Sequence, residues 1–467
     1  MQRNRLADEQ PGDPHVTTSD SLVFSPPAGS AMLRPDFLFG AATASYQIEG
    51  AATADGRHPS IWDTFCRVPG AVHNADNGDV ACDHFHRWQS DLQLISDLGF
   101  DGYRFSVSWS RVMTVDGQRN EKGLDFYKRL LDELERRGLK SFLTLYHWDL
   151  PQHLQDRGGW LNRDTATRFA EYADLMSREV AGRVSAWTTL NEPYCSAYLG
   201  HTTGRHAPGL KDVRYGVESM HHLLLGHGLA TEAVRANDKA PVGLVANVCA
   251  MVPASDSPKD RRAAELSYAN ANTWVLDPLL LGTYPEELAE LWPGVKAPVR
   301  AGDMATISTR MDYLGINYYF RSNIRSDGAH GYVEEDLPNV ERTQMGWEVY
   351  PDGLRDLLLD FKHRYPGLPP IYITENGMAS DDSPVAGRVA DEQRLRYLNR
   401  HVAAVDQAMR QGVDVRGYFA WSLLDNFEWS YGYEKRFGLV HVDYDTQVRT
   451  PKDSALALKR FLEQRRG

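Results

Sequence analysis

The feature that most constrains the fold of this chain is a repeated order of local patterns: an amphipathic helix, a glycine and a short apolar strand. Residues 92–98 place leucine and isoleucine on one helical face, Gly99 follows, and residues 103–107 come next as a predicted strand. The same order returns at 124–146 and at 395–421. A helix between two strands carries the chain back to the start of a sheet, so this order predicts parallel strands joined by helices.

Eight candidate strands follow one another along the chain. They are predicted at residues 37–48, 102–109, 140–147, 184–191, 241–248, 311–319, 370–375 and 415–422. Eight successive β/α units are typical of the closed (β/α)8 barrel, or TIM barrel. The active site of this α/β fold lies at the C-terminal ends of the strands. An open doubly wound sheet is the alternative. It is disfavoured because no glycine-rich phosphate loop follows the first strand.

Two glutamates stand where predicted strands end. Glu192 follows an apolar run that starts at Ala186, and Glu375 follows one that starts at Pro370. Asn-Gly comes directly after Glu375, and this turn signal ends the strand at the acid. A single glutamate is ordinarily a solvated surface residue. Two carboxyl groups held at the ends of buried strands, however, are the minimum equipment for acid/base and nucleophilic chemistry on an acetal.

Composition excludes several classes of protein. The chain has 467 residues, of which 42% are hydrophobic and 24% charged, so disordered and membrane proteins are disfavoured. No run approaches the ~18 apolar residues of a membrane-spanning helix. A formal net charge of −12 argues against nucleic acid as a partner and agrees with a neutral substrate.

The N-terminal segment differs from the rest of the chain. Residues 1–33 are predicted to form a flexible tail, and residues 34–467 are predicted to form one barrel domain. The tail is polar and contains several prolines. It lacks the basic start and apolar segment of a secretory signal, so a cytoplasmic location is expected.

Neither a disulfide nor a metal site is expected. The four cysteines could form two disulfides by number, but a chain of this length needs no such cross-links. Their spacing matches no metal motif, and we expect reduced, packed thiols at Cys66, Cys82, Cys195 and Cys249. His84 and His86 superficially suggest metal ligands. They precede a helix predicted at 88–98 instead of ending a strand, so a structural role is expected.

Seven motifs along the chain resemble the signatures of the glycoside hydrolase family 1 β-glucosidases, in that family's order and over about residues 34–460. They are the segments 37–50, 103–111, 147–151, 188–193, 316–319, 373–377 and 421–429. Asn-Glu-Pro alone would be weak evidence, but the ordered set is specific. The resemblance implies a β-glucosidase that needs no cofactor and removes terminal non-reducing β-D-glucosyl residues. It leaves β-galactosyl and β-fucosyl residues open as further substrates.

The same resemblance assigns roles to the two acids. Glu192 corresponds to the general acid/base and Glu375 to the nucleophile of a double displacement that retains configuration. This mechanism requires carboxyl groups ~5–5.5 Å apart. Arg104 resembles the arginine beside the nucleophile, where its charge would keep Glu375 ionised. Pairing of Arg104 with any nearby acid is the plainer structural interpretation.

The resemblance further implies a set of substrate-binding residues. These are Gln47, His147, Trp148, Asn191, Asn317, Tyr319, Trp347, Trp421, Glu428, Trp429 and Phe437. Trp421 is expected beneath the sugar ring, Trp347 against the leaving group and Tyr319 beside the nucleophile. Asn191 is the expected partner of the 2-hydroxyl. Outside such motifs, buried Trp, Tyr and His more often belong to the core.

Several functional questions stay open at this point. The expected partners are small β-glycosides or short β-linked oligosaccharides, as in cellobiose breakdown, and a homo-oligomer is compatible with the sequence. Net glycosyl transfer is a second enzymatic interpretation, and an inactive sugar-binding barrel is disfavoured because both acids are present. Departures from the family pattern at His201 and around Asn247 leave open which aglycone the enzyme prefers. A carboxylate at Glu428 would repel a 6-phosphate, so unphosphorylated glycosides are expected.

Overall fold

The computed structural model describes residues 23–328 and 331–466. Its strands are β1 (Leu38–Ala42), β2 (Gly102–Ser106), β3 (Lys140–Tyr146), β4 (Ala186–Asn191), β5 (Val242–Pro253), β6 (Tyr313–Ser326), β7 (Tyr332–Glu334), β8 (Ile371–Asn376), β9 (Val415–Trp421), β10 (Val440–Val442) and β11 (Arg449–Pro451). Its α-helices are α1 (Ser45–Ile48), α2 (Ile61–Phe65), α3 (His84–Asp97), α4 (Trp109–Val112), α5 (Glu121–Arg136), α6 (Gln152–Gln155), α7 (Asp164–Glu179), α8 (Val213–Asn237), α9 (Pro258–Tyr268), α10 (Trp274–Leu280), α11 (Glu287–Leu291), α12 (Asp303–Ile307), α13 (Pro351–Arg364), α14 (Glu392–Arg410) and α15 (Asp453–Arg466).

Eight parallel strands close into a barrel. The order around the ring is β5-β4-β3-β2-β1-β9-β8-β6, and β5 pairs with β6 to complete it. Strand β7 pairs antiparallel with the far end of β6, and β10 and β11 form a separate hairpin. The prediction of a (β/α)8 barrel is confirmed, and the open doubly wound alternative is wrong.

The strand boundaries differ most from the predictions at three strands, and the second predicted strand, 102–109, also runs past the end of β2 at Ser106. The first predicted strand, 37–48, is too long because α1 begins at Ser45, whose amide donates to Ser106 Oγ at 2.7 Å. Strands β5 and β6 are longer than predicted because they continue to pair with each other beyond the barrel. This extra pairing runs from Ala250 opposite Arg321 to Pro253 opposite Ile324.

The helix predicted at 88–98 begins earlier, at His84, so the expectation that His84 and His86 precede it is wrong. Asp83 has a left-handed φ of 52° and stands at the helix start. His84 bonds through Nδ1 to Asp91 Oδ2 at 2.8 Å, two turns further along the same helical face. His86 Nδ1 bonds to Asp83 Oδ1 at 2.6 Å, so both imidazoles have protein partners. Within the described ranges, no group of His, Cys, Asp and Glu side chains is arranged to hold a metal ion.

The outer helices bury one face against the barrel, as the periodicity of the sequence predicts. In α5, the buried stripe includes Leu124, Leu131 and Leu134, while the opposite face is charged. Gly138 follows the helix with a φ of +70°, a conformation that glycine adopts without the cost of a Cβ. No α-helix in the described part of the chain is long and apolar enough to cross a membrane.

Aromatic side chains fill the lower half of the barrel. Phe142 packs against Phe419 and Tyr372, with ring centroids 4.8 and 5.2 Å apart. Tyr313, the first residue of β6, packs against Tyr372 at 5.5 Å, and its hydroxyl lies 2.6 Å from Thr188 Oγ1. The barrel interior is therefore filled by packed side chains at this end, and the site is expected at the C-terminal ends of the strands.

The predicted tail is described only in part, because residues 1–22 lie outside the described residues. Within the described part, Phe24 is 1% exposed and packs edge-on against Phe461, with centroids 5.2 Å apart. Met32 is also fully buried. The proposal that this segment is separable from the barrel stays a prediction, and residues 23–33 contribute two side chains to the core.

Candidate active site

A cavity of about 350 Å³ opens at the C-terminal ends of the barrel strands. The predicted site residues that line it are Glu192, Glu375, His147, Trp148, Asn317, Tyr319, Trp347, Trp421, Glu428, Trp429 and Phe437. The other three, Gln47, Arg104 and Asn191, lie behind this surface and bond to residues that line it. The fold thus brings all fourteen predicted residues to one place, although ten different segments supply them.

Glu375 is held by a cation and a hydroxyl at the end of β8. Arg104 Nη1 donates to its Oε1 at 2.5 Å, and the Tyr319 hydroxyl donates to its Oε2 at 2.6 Å. Arg104 and Glu375 are both buried, at 1% and 3% exposure, so water screens this ion pair little. Each oxygen of Glu375 has a donor that favours its ionised form.

Glu192 directly follows β4 and has a different set of partners. Its left-handed φ of 47° turns the chain as it leaves the strand. Asn317 Nδ2 donates to its Oε1 at 2.6 Å, and the Cys195 thiol donates to its Oε2 at 3.0 Å. Both donors are neutral, so Glu192 receives less stabilisation of its negative charge than Glu375 does.

These two environments separate the acidities of the pair. Burial, together with the nearby charge of Glu375, raises the pKa of Glu192 to about 7. Burial also raises the pKa of Glu375, but Arg104 and Tyr319 oppose that rise. When the pair holds a single proton, that proton therefore resides on Glu192. This is the state that a retaining glycosidase needs before it binds substrate.

A hydrogen-bond chain fixes the donors that face the cavity. Asn191 Oδ1 accepts from Arg104 Nη2 at 2.6 Å and from Asn317 Nδ2 at 3.1 Å, so its amide nitrogen points to His147 Nε2, 3.0 Å away. His147 Nε2 is the acceptor, and the ring hydrogen therefore lies on Nδ1. Burial and the charge of Arg104 lower the pKa of His147 well below its usual range, so the ring stays neutral. Its buried Nδ1 has no partner among the described residues.

Glu428 forms the other polar part of the cavity, and Gln47 lies directly behind it. Gln47 Nε2 donates to the Phe427 carbonyl at 2.8 Å and lies 3.4 Å from Glu428 Oε2. The buried Gln47 Oε1 has no hydrogen-bond partner in the described part of the chain. Burial raises the pKa of Glu428 to about 8, and the charges of Glu375 and Glu192 contribute to the rise. Near neutral pH Glu428 can therefore both donate to and accept from a hydroxyl group.

Aromatic rings form the floor of the cavity. Trp421 lies nearly parallel to His147, with centroids 5.8 Å apart and planes at 20°. Trp429 packs against Trp148 at 4.5 Å. Trp148, predicted on the rim, uses its indole N–H to donate to the Asn191 carbonyl at 2.9 Å. Trp148 thus supports Asn191 and offers the substrate only its ring.

The outer part of the cavity contains residues that the sequence analysis did not identify. Trp347 stacks on Phe320 with centroids 4.8 Å apart and planes at 19°. The other missed residues that line this part include Tyr194, Cys195, Tyr198, His206, Met251 and Met345. Two of them have a usable signal in the sequence, because Cys195 stands three residues after Glu192 and Phe320 directly follows Tyr319. The rest lie in loops whose approach to the site depends on the fold.

Comparison with known proteins agrees with this geometry. A β-glucosidase of Agrobacterium sp. is 47% identical over 426 residues, which cover 90% of this chain and 93% of that protein. A bifunctional β-D-glucosidase/β-D-fucosidase of Bifidobacterium breve is 44% identical and covers 91% of this chain and 97% of its own length. The solved structure of a family 1 β-glucosidase from Thermotoga maritima superposes with a TM-score of 0.90 at 42% identity, covering 92% of this chain and 98% of that one.

The family assignment follows from a match over nearly the whole chain. Residues 30–466 match the description "Glycosyl hydrolase family 1". The match includes every segment that contributes to the cavity, and the identities above extend over the same length. The resemblance drawn from the sequence motifs is confirmed, and this protein belongs to glycosyl hydrolase family 1.

Proposed function

We propose that this enzyme removes terminal non-reducing β-D-glucosyl residues from small β-glycosides by double displacement, with Glu375 as nucleophile and Glu192 as general acid/base. One observation supports these roles above all: the two buried acids share a cavity but have opposite partners. Glu375 bonds to a cation, whereas Glu192 bonds to an amide and a thiol. The acid that keeps a proton and the acid that stays ionised are thus distinguished by their surroundings.

In the first step, a carboxylate oxygen of Glu375 attacks the anomeric carbon of the bound glucoside. The bond from that carbon to the leaving oxygen breaks, and Glu192 transfers its proton to this oxygen. A covalent glycosyl ester on Glu375 results, and its negative charge is lost. The negative charge of Glu375, which helped to raise the pKa of Glu192, is then gone, so the pKa of Glu192 falls and its ionised form is favoured more than before.

In the second step, ionised Glu192 removes a proton from water, and the water oxygen attacks the anomeric carbon. The ester bond breaks, Glu375 leaves as a carboxylate and Glu192 is protonated again. Each step inverts the anomeric centre, so the product retains the β-configuration. An alcohol that replaces water in this step would give glycosyl transfer through the same intermediate.

Substrate size and recognition follow from the cavity. Its volume of about 350 Å³ lies near the lower end of small-molecule sites, which hold ~300–1,000 Å³. The packed barrel closes its inner end, so the enzyme acts at chain termini of compounds such as cellobiose. Around the Trp421 ring, the sugar hydroxyls would find hydrogen-bond donors and acceptors in Gln47, His147 and Glu428. Action on β-fucosyl and β-galactosyl residues is part of this proposal, in line with the bifunctional relative.

A cytoplasmic enzyme is also proposed. All four cysteines are free and buried, which suits a reducing compartment.

The assignment of the two acids is tested by chemical rescue. Glu192→Ala should still form the glycosyl enzyme from a dinitrophenyl β-glucoside, whose leaving group needs no proton, and azide should then release a β-glucosyl azide. Glu375→Gln should have no turnover, because no covalent intermediate can form. Glu334→Ala, at a rim carboxylate bonded to Ser322, is the matched control and should not respond to azide. A β-azide product from Glu375→Ala would reverse the two roles.

A further inference from the structure

The Cys195 thiol makes a direct contact with the proposed acid/base. Strand β4 ends at Asn191, the chain turns at Glu192, and the Cys195 amide donates to the Glu192 carbonyl at 2.9 Å. This turn brings Cys195 beneath the residue three positions before it. Sγ then lies 3.0 Å from Glu192 Oε2, and both residues are buried, at 8% and 4% exposure.

The thiol is a hydrogen-bond donor and not a nucleophile. Burial raises the pKa of the Cys195 thiol well above its usual range, and the charge of Glu192 raises it further. The sulfur therefore keeps its hydrogen at any pH at which the enzyme works. Because a neutral thiol is a weak nucleophile, a redox or covalent role is disfavoured.

The two donors to Glu192 together define the orientation of its carboxyl group. Asn317 donates to one oxygen, and its own amide is fixed because Asn317 Oδ1 accepts from Thr374 Oγ1 at 2.7 Å. Cys195 donates to the other oxygen. A carboxyl group with one donor on each oxygen cannot rotate about its last bond without losing both, so its plane is set before the substrate arrives.

The chemical nature of the second donor matters for the acidity of Glu192. A hydroxyl or an ammonium at this place would stabilise the carboxylate strongly and lower the pKa of the acid. A thiol is a weaker donor, so it orients the group while lowering the pKa of Glu192 less than a hydroxyl would. The other charged or titratable groups whose fields reach Glu192 come from different elements and are Arg104, Tyr319, Glu375 and Glu428.

We propose that Cys195 is a positioning residue for the acid/base, holding the Glu192 carboxyl group through an S–H···O bond in the orientation from which it protonates the leaving oxygen. The proposal rests on the acid/base role of Glu192 given above. Cys195 would thus contribute to catalysis through Glu192, without touching the substrate itself.

Cys195→Ala and Cys195→Ser separate positioning from general damage. Loss of the donor in Cys195→Ala destabilises the carboxylate, so the falling limb of the kcat/KM profile should move to higher pH by about 0.5–1 unit. The hydroxyl of Cys195→Ser is a stronger donor, so the same limb should move to lower pH. Cys249→Ala is the matched control, because that buried thiol lies 3.4 Å from the Phe320 carbonyl and bonds to neither acid.

A second measurement uses the leaving group. In Cys195→Ala, kcat/KM for phenyl β-glucoside, which needs protonation, should fall severalfold, whereas kcat/KM for dinitrophenyl β-glucoside should stay near the wild-type value. Cys195→Ser should restore the ratio between the two substrates. Thermal unfolding of each variant shows whether it folds. If Cys195→Ala does not fold, the proposal is judged on Cys195→Ser, from the shift of its falling limb and its ratio of kcat/KM on the two substrates.

Two results would overturn the proposal: a falling limb at the wild-type pH in a folded Cys195 variant, or an equal loss on both substrates in Cys195→Ala. The proposal is supported if the falling limb moves to higher pH in Cys195→Ala and to lower pH in Cys195→Ser, and stays at the wild-type pH in Cys249→Ala. A wild-type enzyme inactive on both aryl β-glucosides would refute the proposed function instead, so the two failures are distinguishable.

Discussion

The Tyr319 hydroxyl provides a quantitative test of how the nucleophile is kept ionised. It donates to Glu375 Oε2 at 2.6 Å, and its ring packs against Trp347 and Phe437 at 5.5 and 6.0 Å. Tyr319→Phe removes the hydroxyl and keeps these ring contacts. A hydrogen bond to a charged group contributes about 1.5–3 kcal/mol. This corresponds to a rise of roughly 1–2 units in the pKa of Glu375.

The sign of the effect on activity follows from the requirement for ionised Glu375. When its pKa rises, a higher pH is needed to ionise it, so the rising limb of kcat/KM should move to higher pH by ~1–2 units. Below that limb, the variant should be about tenfold or more slower than wild type. The assay is the pH dependence of kcat/KM on an aryl β-glucoside, measured from the initial linear part of substrate saturation.

Tyr318→Phe is the matched control for this substitution. The neighbouring Tyr318 also donates a hydrogen bond of 2.6 Å, but its acceptor is the Tyr350 carbonyl, on the other side of β6. This variant should lose stability and keep the rising limb of the wild type. If the limb of Tyr319→Phe stays in place, or moves equally in both variants, the reasoning about Glu375 is refuted.

Three further predictions follow from the contacts around the cavity and at the tail. Arg104→Met should reduce kcat/KM by about a hundredfold or more, because breaking a buried ion pair costs ~3–5 kcal/mol, and the loss should exceed that of Tyr319→Phe when both are assayed together. Above pH 8, where Glu428 is ionised and would repel a phosphate, wild type should prefer an aryl β-glucoside to its 6-phosphate; equal kcat/KM on the matched pair at that pH would contradict this. Deletion of residues 1–22 should leave kcat/KM near wild type, whereas Phe24→Ala should lower the free energy of unfolding by about 3–5 kcal/mol in urea titration.

The sequence was sufficient to predict the fold and the family because both depend on ordered local patterns. The eight strands repeat one arrangement, and the motifs around Glu192 and Glu375 end two of them. Hydrophobic periodicity and turn residues report on such features directly. The barrel order and the gathering of the predicted residues at one end then follow from the fold class.

The predicted element boundaries were wrong where tertiary contacts override local sequence patterns. Strand β1 ends early because Ser45 bonds to Ser106 on the next strand, and the length of β5 depends on pairing with β6. The helix that starts at His84 depends on the left-handed conformation of Asp83. None of these contacts is visible in the residues of the element itself.

Parts of the candidate site were unpredictable for the same reason. The hydrogen bond from the Trp148 indole N–H to the Asn191 carbonyl could not be deduced from a motif. The contact between Cys195 and Glu192 depends on the positive φ of Glu192, which sequence spacing alone does not reveal. The roles of the site residues stay predictions until variants are assayed.

The central claim is that Glu375 forms a covalent glycosyl ester, while Glu192 protonates the leaving group and then removes a proton from water. The most direct test is incubation with dinitrophenyl 2-deoxy-2-fluoro-β-glucoside, because the fluorine slows both steps and the good leaving group lets the ester accumulate. Mass spectrometry of the digested protein should then show one fluoroglucosyl group on the peptide that contains Glu375. A label on the peptide that contains Glu192, or no label together with an α-configured product from ordinary substrate, would contradict the account.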